Sequence, residues 1–317
     1  MPQFIIDGFE NETGYRVEQI YYESDELKED LIMEAGGKGM DLIVGSSDSF
    51  MNYRLQGGII SKLDPELGPN LNNIDPFWNE QYPGLSDFAA PFFWGTLGIV
   101  YRKDLVKHKV DSWAHLLKPD ESLHGKILMV EDKRDLFTPA LKLLGYPSNE
   151  TSYKNLAKAG ELLAHQHQYV ASYNYLNLSE ESELITGSIW MAIAYNGDAL
   201  VLKALNDEIE YVVPKEGTYI WADYIAILEA STKKSAANAF INYINTPEIA
   251  AKLAETLHYA SPNKAAEKFL PEAFLNNALI YPPKEVVDKS EVIMPLKGKI
   301  MAYYNNIYNN LVSKAAM

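Results

Sequence analysis

One stretch constrains this chain more than any other: Gly217-Thr218-Tyr219-Ile220-Trp221-Ala222-Asp223-Tyr224-Ile225-Ala226-Ile227. β-Branched and aromatic residues follow a Pro214-Lys215-Glu216-Gly217 turn, which is the signature of a strand. So continuous an apolar run predicts a strand covered on both faces, as in the middle of an α/β sheet. Asp223 interrupts it near its centre, beside Trp221. A carboxylate there is costly unless a donor or a cation satisfies it, so Asp223 is the first candidate functional residue. The bland alternative is a structural carboxylate paired with a buried donor. Alternation puts Trp221 and Asp223 on the same side of the strand.

The rest of the chain alternates strands with helices, which predicts an α/β fold with crossover units. Residues 3–10 read as a short helix closed by Gly14, and Tyr15 to Tyr22 as a strand. Ser24 reads as the cap of a helix with Leu27, Leu31 and Ala35 on one face, ended by Gly36-Gly37. Met40-Asp41-Leu42-Ile43-Val44 is a buried strand, followed by Gly45-Ser46-Ser47-Asp48 and a short helix. In such sheets ligands lie beyond the carboxyl ends of strands, where this loop falls. Residues 64–90, rich in Pro, Asn and Gly, read as surface chain.

A second continuous apolar strand runs from Ala90 to Arg102. Ser112-Trp113 opens a helix, and the strand Ile127 to Val130 leads into Glu131-Asp132-Lys133-Arg134-Asp135, the start of a helix that reaches Leu144. Pro139 is expected to kink that helix or to delay its regular start. Further strands are read near Tyr169-Val170-Ala171, from Ser188 to Tyr195 and from Ile209 to Val213, with a helix up to about His165 before them. Asp198 is placed to cap the helix Ala199 to Ala204. Two more helices follow, one carrying Ala236, Phe240, Ile241 and Ile244, the other opened by Thr246-Pro247-Glu248. The last follows Pro295, with Ile300, Tyr304, Ile307, Tyr308 and Leu311 on one face.

Composition narrows the function. At 317 residues there is length for two domains, and 43 acidic against 28 basic residues give a net charge of −15. So negative a surface disfavours nucleic acid, whose binding rests on neutralised phosphates. Cysteine is absent, which excludes thiolate metal sites, disulfides and thiol nucleophiles. The six histidines form no spaced metal motif, and neither a nucleophile constellation nor a phosphate-cradling or dinucleotide loop is present. No apolar run reaches membrane-spanning length. No signal peptide is legible, since Met1-Pro2-Gln3 leads almost directly into sequence with the patterning of a folded domain.

What remains is a set of carboxylates at strand ends. Asp132 and Asp135 stand three apart at a helix start, where the structural reading is an N-cap with something like a capping box. The two readings are compatible, because Asp132 can give one oxygen to the backbone and present the other to a cation. Asp198 and Asp48 are likewise at helix starts, and N-cap is again the default. Aromatics (Trp94, Tyr195, Trp221, Tyr259) lie near these acids in sequence. Acid plus aromatic without a catalytic pair suits a cation receptor: carboxylates neutralise ammonium groups while rings take cation–π contacts and cover methylenes.

The order and spacing of several short pieces resemble the spermidine/putrescine-binding receptors of bacterial ABC importers. They are Asp41-Leu42-Ile43-Val44 with Ser46; Pro91 to Gly95; Ser112-Trp113 through Leu116 to Gly125-Lys126; Asp132-x-x-Asp135; Tyr195-Asn196-Gly197-Asp198; Pro214 to Gly217 with Trp221-x-Asp223; and Glu255-Thr256-x-x-Tyr259-x-x-Pro262-Asn263. The resemblance implies a two-lobed periplasmic binding protein of the type II, Venus-flytrap class, with mixed, mostly parallel sheets flanked by helices. Its lobes would comprise 1–98 plus 223–269 and 99–222 plus 270–317, with the ligand in the cleft between them and hinge closure around it. Ser46 and Asp48 would line the cleft from the first lobe, and Asp132 and Asp135, the latter a Glu in the spermidine receptor, would grip an ammonium end from the second. Tyr195 occupies a family Trp position, and Asp198 matches an acid of putrescine-type receptors. Trp221 would stack on methylenes, Asp223 bind an amine and Tyr259 close the side.

The same resemblance implies a monomer without cofactor or catalytic activity, a polyamine ligand, and a membrane partner that is an ABC permease or a sensor protein. Family members begin with a strand and a Trp-containing loop, so sequence ahead of residue 1 is expected to complete the first lobe's sheet. Rival readings are a same-fold receptor for another solute and a cytosolic enzyme using Asp132 and Asp135 as acid and base.

Overall fold

In a computed structural model, residues 1–22 and 25–312 are described, and they divide into two units. The first is Met1–Trp94 with Trp221–Asn277, and the second Gly95–Ile220 with Ala278–Met317. The chain therefore passes between units after Trp94, after Ile220 and after Asn277.

The first unit opens with helix α1 (Gln3–Thr13), whose Ile5, Ile6 and Phe9 are buried and whose C-cap, Gly14, takes the left-handed conformation. That conformation costs a glycine nothing. Tyr15 to Tyr22 forms no strand. Its β propensity describes fit to a half-buried pleated surface, and no strand ladder among the described residues includes it, although the Tyr22 hydroxyl donates to the Val44 carbonyl. Tyr15, Ile20 and Tyr21 are exposed, and the Val17 N–H donates to Glu10 Oε1 instead of to a ladder. Helix α2 spans Asp25–Ala35, and the expected cap Ser24 lies outside the described residues.

The face of α2 differs from expectation. Leu27 and Leu31 are 46% and 42% exposed, whereas Lys28 and Ile32 are 3% exposed. One residue of offset turns a helix by about 100°, enough to exchange the two stripes. Lys28 tolerates burial because its alkyl stem packs while its ammonium lies 5.5 Å from the centroid of the Tyr22 ring.

Strand β1 (Leu42–Ser46) leads into α3 (Ser47–Gln56), and α4 (Pro76–Gln81) follows a 3-10 turn at Pro69–Asn73. The 64–90 segment is thus more ordered than its composition suggests. Trp78, Tyr82 and Leu85 are buried, and Asn70 is tied by its backbone N–H to Asn242 Oδ1. Strand β2 (Ala89–Arg102) begins in this unit and ends in the other.

In the second unit come α5 (Ala114–Leu117), β3 (Ile127–Met129), α6 (Lys133–Leu143), α7 (Tyr153–Gln166) and β4 (Val170–Tyr173). One-turn helix α8 (Glu183–Thr186), β5 (Met191–Tyr195), α9 (Asn196–Leu205) and β6 (Ile209–Val212) follow. Helix α6 continues through Pro139, so the proline does not postpone its start. A proline there removes the donor that would meet the Asp135 carbonyl. The helix ends in a Schellman turn: Tyr146 N–H donates to the Leu141 carbonyl and Gly145 N–H to Lys142.

Strand β7 (Tyr219–Ile227) brings the chain back to the first unit, where α10 (Lys234–Ile244), α11 (Pro247–Leu257) and the one-turn α12 (Glu272–Leu275) follow. The chain then returns to the second unit with α13 (Lys284–Val287), β8 (Glu291–Val292) and α14 (Gly298–Val312).

Sheets in both units are mixed or antiparallel according to how the two long strands run. In the first unit β1 and β7 are antiparallel, in a register that sets Leu42 opposite Ile227 and Ser46 opposite Asp223. In the second, β2 is antiparallel to both β5 and β6, while β3 is parallel to β4 and β5. There too the start of β7 pairs in parallel with β8, at Tyr219 and Ile220. Beneath that sheet Val100, Leu128, Ala192, Leu202 and Ile209 pack into one apolar cluster. Gly98 is required where β2 crosses β6, since a Cβ there would come within 2.6 Å of the Val212 carbonyl oxygen. Among the described residues no helix is long and apolar enough to cross a membrane.

Candidate functional site

Each unit carries its own group of acids and aromatics. In the first, β7 is buried along its length except at Trp221 and Asp223, which are half-buried. Alternation thus delivers these two side chains to the one partly open side of an otherwise covered strand. Antiparallel pairing with β1 brings Ser46 opposite Asp223. Ser46 is the N-cap of α3, its Oγ accepting from the Ser49 N–H. Asp48 is consequently not the cap, as its position in the sequence suggested, but a first-turn residue whose charge the helix dipole favours.

The Trp221 ring meets Tyr259 edge to face, with centroids 5.1 Å apart and planes at 89°. Tyr259 in turn lies 6.0 Å from Phe93. It follows His258, a C-cap in the left-handed region at φ 57° that turns the chain sharply after α11. Trp94 is fixed beside this turn: its backbone N–H donates to the Ala260 carbonyl and its indole N–H to Ser261. Its ring also packs 5.6 Å from Trp78. An acid at one end and a wall of ring edges and faces is an arrangement that can neutralise a cation and cover an alkyl chain.

The second unit builds its group on the starts of α6 and α9. Asp132 is the N-cap of α6, and a single oxygen, Oδ1, accepts from both Arg134 N–H (2.7 Å) and Asp135 N–H (3.0 Å). Its capping role therefore occupies one oxygen only. Asp135, in the first turn, is 2% exposed. Its Oδ2 accepts from the Tyr195 hydroxyl at 2.6 Å, and its Oδ1 from the Tyr219 hydroxyl. Burial raises the Asp135 carboxyl to about 8, helped by the Asp132 charge and opposed by the two phenol donors and Arg134. Burial and the neighbouring carboxylates likewise push both tyrosines well above their ordinary range.

Asp198 is the third residue of α9, whose N-cap is Tyr195 and not Asp198 itself. Its carboxylate reaches back to the Tyr195 backbone N–H, and burial raises it to about 6 against that hydrogen bond. A buried polar set fixes this strand end. Asn196 Oδ1 accepts from the Thr96 N–H, Asn196 Nδ2 donates to the Leu279 carbonyl, and Tyr211 donates to the Thr96 carbonyl. Tyr195 is thereby held between β5 and α9 with its ring toward Asp135.

Sequence reasoning named Asp132, Asp135, Tyr195 and Asp198, and these do gather in the second unit. Ser46, Asp48, Trp221, Asp223 and Tyr259 belong to the first. Tyr219 was missed, although it stands two residues before Trp221 in the quoted strand. Period-2 spacing was the available signal, but nothing local says that β7 brings Tyr219 onto a carboxylate of α6.

Both raised acids have a stability consequence. A carboxyl whose folded-state value lies above its unfolded one stabilises fully below the unfolded value near 4, and that stability is lost as pH rises through the folded one. Thermal stability should therefore fall between about pH 4 and pH 8. Asp135→Asn, which cannot ionise, should gain on the wild type across that window. Melting curves of both proteins at pH 4.5, 6 and 8 check this, and a difference that stays constant with pH would contradict it.

Residues 5–280 match the family model of bacterial extracellular solute-binding proteins. The chain is 33% identical to the spermidine/putrescine-binding periplasmic protein of Escherichia coli strain K12, over 98% of this chain and 88% of that one. It is 32% identical to the putrescine-binding periplasmic protein SpuD of Pseudomonas aeruginosa, over 93% and 84%. Among solved structures, the substrate-binding protein PotD of a Streptococcus pneumoniae spermidine/putrescine ABC transporter superposes with a TM-score of 0.89, at 25% identity and over 99% of this chain and 95% of that one. With a matching family model across most of its length and the fold of a binding protein, the chain belongs to the bacterial extracellular solute-binding proteins, whose work is capture of a solute and not catalysis.

Proposed function

We propose that this protein is a polyamine receptor that delivers its ligand to an ABC importer from the periplasmic side of a bacterial membrane. The observation that carries the reading is the pair Trp221 and Asp223, delivered together to the partly open side of β7 with Tyr259 against the indole. An alkyl chain ending in an ammonium group matches that pair: methylenes on the ring, the charge on the carboxylate. Asp132 and Asp198 provide a separate set of carboxylates in the other unit. The relatives named for spermidine and putrescine support the ligand class and the importer.

Energetics favour several matched pairs over one strong one. Two charges ~4 Å apart attract by about 4 kcal/mol at an effective dielectric near 20. Desolvation of both offsets much of this. Each buried methylene adds about 0.8 kcal/mol, so chain length and amine spacing together select the ligand. The test is a thermal-shift panel of putrescine, cadaverine, spermidine, norspermidine and spermine. At a hundredfold excess over Kd the preferred amine should add about 2.7 kcal/mol of stability. A panel in which no amine raises the melting temperature would sink the proposal.

A further inference from the structure

The second unit contains a carboxylate that its surroundings have already claimed. Asp135 is 2% exposed, and each of its two oxygens accepts a phenolic proton, from Tyr195 at 2.6 Å and from Tyr219. Its amide is in turn held by Asp132 Oδ1 at 3.0 Å. So enclosed an acid is poorly placed to take an ammonium N–H of its own. Tyr195, at the end of β5, keeps some side-chain surface exposed, although burial also acts on its hydroxyl. A phenol that gives its single proton to a carboxylate meets every other group as an acceptor only. Hydrogen-bonded chains of this kind polarise one another, so the phenolic oxygen carries part of the acid's charge outward.

We propose that Asp135 is a positioning residue which fixes Tyr195 as the amine acceptor of this unit, so that the ligand's ammonium is met by a phenolic oxygen beside Asp132 and not by the Asp135 carboxylate. The inference rests on the polyamine reading above and adds to it the residue that touches the amine. It also assigns Tyr219 a role, as the second donor that keeps the Asp135 carboxylate turned toward both rings. Four groups from three elements face this carboxylate: Asp132 and Arg134 at the start of α6, Tyr195 from β5 and Tyr219 from β7. Protonation of Asp135 makes it a donor to one phenol. Where that phenol is Tyr195, its hydroxyl proton is released to point at the ligand, where it opposes an ammonium group. Burial places that event near neutral pH.

A double-mutant cycle with spermidine, read by calorimetry, tests the proposal. Asp135→Asn should weaken binding about tenfold at pH 8 in the wild type, and less than twofold in a Tyr195→Phe background. The ratio of wild-type to Asp135→Asn affinity should rise from pH 6 to pH 9, and should be flat when Tyr195 is Phe. Tyr219→Phe provides a second variant that keeps the charge and the Tyr195 ring. It should weaken binding about threefold, whereas a carboxylate that bound the amine directly would bind as well or better once freed of a competing donor. A cost of Asp135→Asn that persists undiminished without the Tyr195 hydroxyl, or a Tyr219→Phe that binds more tightly, would overturn the proposal while leaving the receptor reading intact. Absence of polyamine binding by the wild-type protein would overturn both.

Discussion

Replacing Asp223 by Asn is expected to weaken polyamine binding by about a hundredfold or more while leaving the fold in place. Truncating one partner of a buried charged pair costs about 2–5 kcal/mol, because the other charge is left desolvated and unneutralised. About 2.7 kcal/mol corresponds to a factor of a hundred. Asn has the same shape and keeps a carbonyl oxygen opposite Ser46, so β1–β7 pairing has no reason to change. Calorimetry gives the affinity and circular dichroism the fold. An affinity within twofold of the wild type would remove Asp223 from the site, and with it the strongest argument for a cation ligand.

The second large effect concerns stability. Trp113 is fully buried, its indole N–H donates to the Gly217 carbonyl at 2.8 Å, and its own N–H donates to Glu216 Oε2. It therefore grips the turn that launches β7. Gly217 is held at φ 85°, where a Cβ would meet the Lys289 carbonyl oxygen at 2.3 Å, so this turn has no slack to recover a lost contact. Trp113→Ala should cost about 3–5 kcal/mol from the cavity alone. The unpaired Gly217 carbonyl adds about 1–3 kcal/mol. At roughly 2–4 °C per kcal/mol for a domain of this size, the melting temperature of the second unit should drop by roughly 10 °C or more. Trp113→Phe retains most of the volume and should lose much less. A loss below about 1 kcal/mol in the Ala variant would show that the turn is held by something else.

The contrast between these two residues bears on what a sequence can disclose. Strands β2 and β7 were legible because continuous apolar runs of that length have few other uses, and Asp223 stood out because it violated one of them. The Asp132 cap was legible because capping is decided within three residues. Asp198 and Asp48 were placed at the right helices but at the wrong positions, since Tyr195 and Ser46 took the caps. A cap depends on which backbone N–H groups come within reach, and that varies with a single residue of helix start. Tyr15 to Tyr22 failed for the opposite reason: a strand exists only with a neighbour, and composition carries no information about one. The Asp135 pair of phenols was beyond reach altogether, because its members come from α6, β5 and β7, up to 84 residues apart.

Strand β7 acts as a ruler. Trp221 and Asp223 sit on it at positions i and i+2, so the pleat spaces them about 6–7 Å apart and points them to one side. Substitutions can tune each mark separately, but insertion or deletion of one residue between Trp221 and Asp223 would turn one of them to the opposite face. Descendants of this sequence should therefore vary in the chemistry written at these two marks, and hardly ever in the distance between them.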